Sequence, residues 1–177
     1  MTLLFLAGSE EVEAPALAAR DAKRYNLTMH IHRASEDDWQ EIAEIFLAAR
    51  RTMTYLNAGL HSDAETRLFI RRMVKRSEVW VAERDGEIIG FAATEPAPHQ
   101  SWLHHLYVDP AAHNAGAGSL LLARAKEEMP RGFSLWTFQA NLGARRFYER
   151  HGLTETRRTR GTENEEGLPD ILYEWRP

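Results

Sequence analysis

The residue types suited to acid, base and anion chemistry lie between Glu95 and His151. His104 and His105 stand side by side in the run WLHHLYV. An imidazole, with an ordinary pKa of about 6.5, accepts a proton at neutral pH. Glu95, just upstream, is a carboxylate that would act as a base through water. Strand alternation sets His104 with Leu106 and His105 with Tyr107, and a bulge would reverse this assignment. Further on, Gly116 and Gly118 in PAAHNAGAGSLLL fall where a helix must start. Such a start presents unpaired N–H groups and a partial positive charge, and without Cβ atoms the backbone can approach a phosphate or pyrophosphate. Tyr148 supplies a phenol in NLGARRFYERHGL, and Asn141 stands at the head of the same block.

The elements around these residues follow from periodicity and punctuation. Leu106 and Val108 end an alternating run, Asp109-Pro110 turns the chain, and Leu121, Leu122 and Ala125 line one helical face. After Pro130 and Gly132, Ser134 to Phe138 reads as a strand lying parallel to Ser101 to Val108, the pair being joined by a helical crossover. Asn141 opens the last helix, with Ala144, Phe147, Tyr148 and His151 on one face and Gly152 just past its end. Upstream, His30 to Arg33 is a first strand. Ser35 caps a helix to about Arg51, and Gly59 with His61-Ser62 breaks the chain. Ser62 caps a second helix whose apolar face is Phe69, Ile70, Met73 and Val74. Val79 to Glu83 and Glu87 to Thr94 form a hairpin through Asp85-Gly86. Leu153 to Thr159 and Ile171 to Trp175 close the chain around an acidic loop at Gly161 to Asp170, which contains Glu163, Glu165 and Glu166 with no basic residue of its own.

Two glycines alone are also an ordinary way to turn a chain. A dinucleotide fingerprint is not met, because Leu121 stands where a third glycine belongs, and no Gly-Lys-Ser/Thr marks a nucleotide triphosphate loop. The two blocks together, however, resemble the GNAT superfamily of acetyl-CoA-dependent N-acetyltransferases. The family's phosphate pattern falls on His113, Asn114, Ala115, Gly116, Ala117 and Gly118. Its later pattern falls on Asn141, Ala144, Phe147, Tyr148, Glu149, Gly152 and Leu153. The resemblance covers Met29 to Trp175, with His113 standing where the family has Gln or Arg.

The resemblance implies an α/β (α+β) GNAT fold: a mixed central sheet of about six to seven strands, flanked by about four helices, with a V-shaped splay between two parallel central strands. It divides the chain into an extension, 1–28, read as an arm or a misassigned start, and a domain, 29–177. It implies acetyl-CoA as co-substrate, held by the main chains of Leu106, Tyr107 and Val108, by the loop from His113 through Gly118, and by Ser119, Asn141 and Tyr148. An amide near Leu106 or Tyr107 would polarise the thioester carbonyl. Direct transfer to an alkyl amine needs a base, because such an amine, with a pKa of about 10.4, is protonated at neutral pH. His104 matches a histidine of the serotonin-type members and is favoured over His105, with Glu95 in reserve. The alternative for either histidine is a hydrogen bond beneath the sheet. Tyr148 falls where the family's acid lies, its alternative being a core aromatic. Tyr55, Leu56, Asn57 and His61 fall in the connection that overlies the acceptor, and Glu165 and Glu166 in a closing loop near its mouth. The acceptor is a small-molecule or peptide amine, and a homodimer is open. A non-catalytic acyl-CoA-binding module is the alternative to an enzyme.

Composition narrows the classes. The 177 residues carry a formal net charge of -4, with 44% hydrophobic and 27% charged residues. That balance suits one globular domain and disfavours nucleic-acid binding. With no cysteine, a covalent acyl-cysteine route is excluded, and a cytoplasmic location is expected. No apolar run approaches the ~20 residues of a membrane span. The histidines are scattered apart from His104-His105, so no metal site is expected.

Overall fold

The computed structural model describes residues 29–57 and 60–177. The extension 1–28 and the break at Gly59 lie outside the described residues. Strand β1 (His30–Arg33) leads to Ser35, whose N–H donates to the Asp38 carboxylate at 2.7 Å. Here the expected helix start is preceded by one 3₁₀ turn, Glu36–Asp38, and helix α1 runs from Trp39 to Arg51. Ser62 caps helix α2 (Asp63–Arg76): its Oγ accepts from Glu65 N–H at 3.2 Å, while the Glu65 carboxylate accepts from Ser62 N–H at 2.8 Å. This reciprocal pair satisfies donors that the helix cannot satisfy itself.

Strands β2 (Glu78–Arg84) and β3 (Glu87–Glu95) are joined at Asp85-Gly86, whose φ angles of 57° and 82° form the two-residue turn read from the sequence. Strand β4 (Trp102–Val108), helix α3 (Ala117–Glu128), strand β5 (Phe133–Phe138), helix α4 (Leu142–Arg150) and strands β6 (Thr154–Arg158) and β7 (Asp170–Trp175) complete the order. The seven strands are arranged β1-β2-β3-β4-β5-β7-β6, antiparallel throughout except for the parallel pair β4 and β5. This is the mixed sheet and helix set of the GNAT fold.

Each face of the sheet has its own core. On one face, Leu121, Leu122, Ala125, Ala144 and Tyr148 of α3 and α4 pack on Leu103, Leu106, Val108 and Leu135. On the other, Ile42, Phe46, Ile70 and Met73 of α1 and α2 pack on Val81, Phe91, Tyr107 and Phe138. Burying such side chains contributes roughly 1.5–3 kcal/mol each. One expected core residue departs: Phe69 is 42% exposed, lying at the rim of α2 with its ring 6.4 Å from that of Phe46 and 5.7 Å from that of His105.

Candidate active site

The register of β4 and β5 contains one pair among the described residues, Trp102 with Ser134. By contrast, β5 stays paired with β7 along its whole length, Phe133 to Phe138. The two parallel strands therefore part almost at once, as the resemblance implies, and their facing backbone groups need partners from elsewhere.

The turn into α3 forms at one end of this split. Asp109 accepts from Ala111 N–H at 2.8 Å, closing a 3₁₀ turn at Pro110–Ala112. Asn114 and Gly116 then take left-handed φ values of 62° and 89°. Alternating handedness of this kind turns successive N–H groups into one concavity, an anion-binding nest. The first bond of the helical ladder runs from Leu120 N–H to the Gly116 carbonyl, so the amides of Ala117, Gly118 and Ser119 precede it, and no side chain caps them. A Cβ built on Gly116 would meet nothing within 4 Å, so the space above the turn is open. The residues present fit a pyrophosphate. His113 is turned away from this concavity: its Nε2 lies 3.2 Å from the Val108 carbonyl and donates to it.

On β4, strand parity does not hold. Ala93 pairs with His105 and Thr94 with Leu103, so one step of β3 faces two of β4, and His104 is the extra residue. Such a bulge re-aims a side chain. The His104 ring stacks with Trp102 at 6.4 Å and 20°, and Trp102 packs with the α1–α2 core, opposite Leu106. The expected grouping of His104 with Leu106 is thus overturned by the bulge, while His105 does share the face of Tyr107, 6.0 Å from its ring. His104 Nε2 lies 2.5 Å from Glu95 Oε2. The two base candidates are brought together, and the carboxylate fixes the proton on Nε2, leaving Nδ1 with the lone pair. His105 is 3% exposed among Phe46, Phe69, Phe91 and Tyr107. Burial pulls its pKa down to about 3, with the charges of His104 and Arg50 adding to the effect. Its Nδ1 has no hydrogen-bond partner, so the reading of a histidine bonded beneath the sheet is not met at that atom.

Tyr148, on α4, is fully buried, and its hydroxyl has no partner. Burial first, then Tyr107 and Tyr173, push its pKa well above the ordinary phenol value, so it keeps its proton. Asn141 caps α4, its Oδ1 accepting from Ala144 N–H at 3.1 Å, while its Nδ2 is buried without a partner. Thr137 on β5 has a buried hydroxyl in the same condition. Sequence reasoning passed over Thr137, although a threonine within FSLWTF is the one hydroxyl amid large apolar residues after Ser134.

The segment after α1 and the loop before β7 meet on the other face. Arg50 reaches Glu166 at 3.4 Å, its charge also acts on Tyr107, and His61 lies 2.9 Å from Glu165. Asp170 is buried and accepts from Thr159 Oγ1 and Asn164 Nδ2. The loop, which has no basic residue of its own, therefore finds its partners, Arg50 and His61, more than a hundred residues upstream. The loop keeps its shape because a Cβ on Gly161, at φ 82°, would lie 2.2 Å from the Leu168 carbonyl oxygen. Tyr55 packs on Phe138 at 5.8 Å with its hydroxyl buried and unpartnered, Leu56 joins the same core, and Asn57 is exposed.

A sheet split between two parallel strands, with a glycine-rich helix start at one end and titratable side chains beside it, is the arrangement that the resemblance implies. A model of the Acetyltransferase (GNAT) family matches residues 39–153, and the chain belongs to that family. An "Uncharacterized N-acetyltransferase" of Archaeoglobus fulgidus is 30% identical over 142 residues, covering 68% of this chain and 89% of that protein. A second, YhfO of Bacillus subtilis, is 32% identical over 137 residues, covering 72% and 91%. Among solved structures, the PaiA N-acetyltransferase from Thermoplasma acidophilum in complex with coenzyme A is similar with a TM-score of 0.64 at 20% identity, over 85% of this chain and 100% of that one. Family membership makes the protein an acetyl-CoA-dependent acyltransferase. Among the described residues there is no cluster of potential metal ligands, and no helix long and apolar enough to cross a membrane.

Proposed function

We propose that the protein transfers an acetyl group from acetyl-CoA directly to a primary amine of a small molecule or peptide, both substrates being bound together. The observation that carries this reading is Tyr148: a protonated phenol, sealed in the core, whose hydroxyl has no protein partner. A hydroxyl left so costs roughly 1–3 kcal/mol and is retained where a ligand or a reaction uses it.

Acetyl-CoA supplies an activated acetyl thioester. The nest from Asn114 to Gly116 and the amides of Ala117, Gly118 and Ser119 would hold its pyrophosphate, and Asn141 Nδ2 and the β4 main chain from Leu106 to Val108 would hold its arm. That solved relatives contain coenzyme A or acetyl-CoA supports this assignment. His104 takes the proton of the incoming amine on the nitrogen left free by Glu95. His105, neutral and walled in by rings, takes no part. Tyr148 gives its proton to the departing sulfur. The acceptor enters over the α1–α2 side, at the surface where Tyr55 and His61 meet Glu165 and Glu166.

The test is free-thiol release and product mass over a panel of amines with acetyl-CoA. Acetylated product with stoichiometric thiol supports the reading. Tight coenzyme A binding with no turnover on any amine returns the protein to the non-catalytic class.

A further inference from the structure

The hydrogen bonds of His151 fix its proton. Its Nδ1 lies 2.8 Å from the Phe147 carbonyl, which can only accept, so Nδ1 carries hydrogen. In the neutral ring Nε2 then holds a lone pair, 3.0 Å from Ser119 Oγ. In this bond Ser119 gives its single hydroxyl proton to that nitrogen and keeps only lone pairs for any other partner. Ser119 lies in the first turn of α3, among the amides that precede the ladder. A pyrophosphate oxygen is also an acceptor, so the neutral imidazole sets this hydroxyl the wrong way round for an anion.

We infer that His151 takes up a proton as coenzyme A binds, and that this proton turns Ser119 into a hydrogen-bond donor to the pyrophosphate. With Nε2 protonated, the ring donates to Ser119 Oγ and the hydroxyl proton swings to the anion, while a positive charge arrives beside it. His151 is then a positioning residue, and affinity for the cofactor rises as pH falls. Around the imidazole, α3 contributes Ser119 and Lys126, whose Nζ donates to the His151 carbonyl at 2.7 Å. Helix α4 contributes the Phe147 ring at 4.2 Å and the neighbours Glu149 and Arg150, and Glu149 is engaged by Tyr173 of β7 at 2.7 Å. These groups are present in both states and leave the direction of the coupling unchanged. The inference rests on the reading of the α3 turn as the pyrophosphate site.

The experiment is calorimetry with 3′-dephospho-CoA, which lacks the phosphate monoester that titrates near neutral pH. Binding is measured in buffers of different ionisation enthalpy at about pH 7, and the slope of heat against that enthalpy counts protons taken up. The parent should show uptake, with its dissociation constant falling roughly three- to tenfold between about pH 8 and about pH 6. The slope should approach zero in His151→Gln and shrink in Ser119→Ala, which keeps the imidazole and the helix. A parent slope of zero, a slope untouched by His151→Gln, or a slope in Ser119→Ala equal to the parent's overturns the inference while leaving the cofactor site standing. Absence of any binding to the parent removes the cofactor site and the inference with it.

Discussion

His105 offers a quantitative check on which histidine can accept a proton. Its pKa is about 3 in the folded chain and 6.5 in the ordinary state. Between those values the unfolded chain binds a proton that the folded chain refuses. Stability is therefore full above about 6.5 and is lost as pH falls toward about 3. At about pH 5 the loss from this one group is one and a half units of pH, or about 2 kcal/mol. Replacing His105 by Leu removes the titration and an unpartnered Nδ1, and puts an apolar side chain among four aromatic rings. Thermal unfolding at about pH 7.5 and about pH 5 gives the comparison, with every other titrating group cancelling between parent and variant. The parent should lose about 4–8 °C more than His105→Leu over that interval, since about 1 kcal/mol moves Tm by about 2–4 °C at this size. The variant should also keep the acid limb of kcat/KM if His104 is the base, as proposed. Equal losses in Tm would show that His105 reaches solvent when protonated. An acid limb that vanishes in His105→Leu would make His105 the base.

Four further outcomes are expected. Tyr148→Phe should lower turnover by roughly 10²-fold while leaving Tm unchanged or slightly higher, because it deletes a hydroxyl with no partner; rate is read with excess amine and Tm by calorimetry. His104→Ala should reduce the rate at neutral pH and flatten the acid limb, and Glu95→Gln should lower the rate less, since it leaves the imidazole present but less firmly oriented; pH profiles of kcat/KM distinguish the two. Gly116→Val forces a branched side chain into a left-handed φ and into the space above the turn, so the Kd for coenzyme A should rise by about tenfold or more, measured on the folded fraction. Glu166→Gln leaves the largely withdrawn Arg50 without its carboxylate and should cost about 1–2 kcal/mol, whereas Glu165→Gln, at an exposed pair, should move Tm by no more than about 2 °C.

What could be read in advance was local. The caps at Ser62 and Asn141, the Asp85-Gly86 turn and the glycine start of α3 each depend on a few adjacent residues, and each stands where the sequence places it. The bulge at His104 depends on β3 as much as on β4, so alternation within WLHHLYV carries no sign of it. Arg50 shares the end of α1 with Arg51, and nothing in that pair of residues says that one turns inward to Tyr107 and Glu166 while the other meets Asp63 at the surface. Phe69 fits the helical spacing of a core face, yet α2 rolls far enough to leave it at the rim. In each case the missing information belongs to a partner distant in the chain.

Four of the buried polar atoms without partners among the described residues bear on the order of events. Tyr148 and Asn141 belong to the α3–α4 side of the sheet, Tyr55 to the α1–α2 side, and Thr137 to β5 between them. A chain selected for stability alone would place Phe at 55 and 148, since an unpartnered hydroxyl costs roughly 1–3 kcal/mol. Polar atoms left open on a single face would suit one ligand bound at a time. Atoms left open on both faces of the same split suit two ligands held together, one from each side. The chain also contains no cysteine to store an acyl group between two separate binding events. Direct transfer as proposed uses both faces, with Tyr148 as the candidate acid on the α3–α4 side and the His104–Glu95 pair as the candidate base on the other.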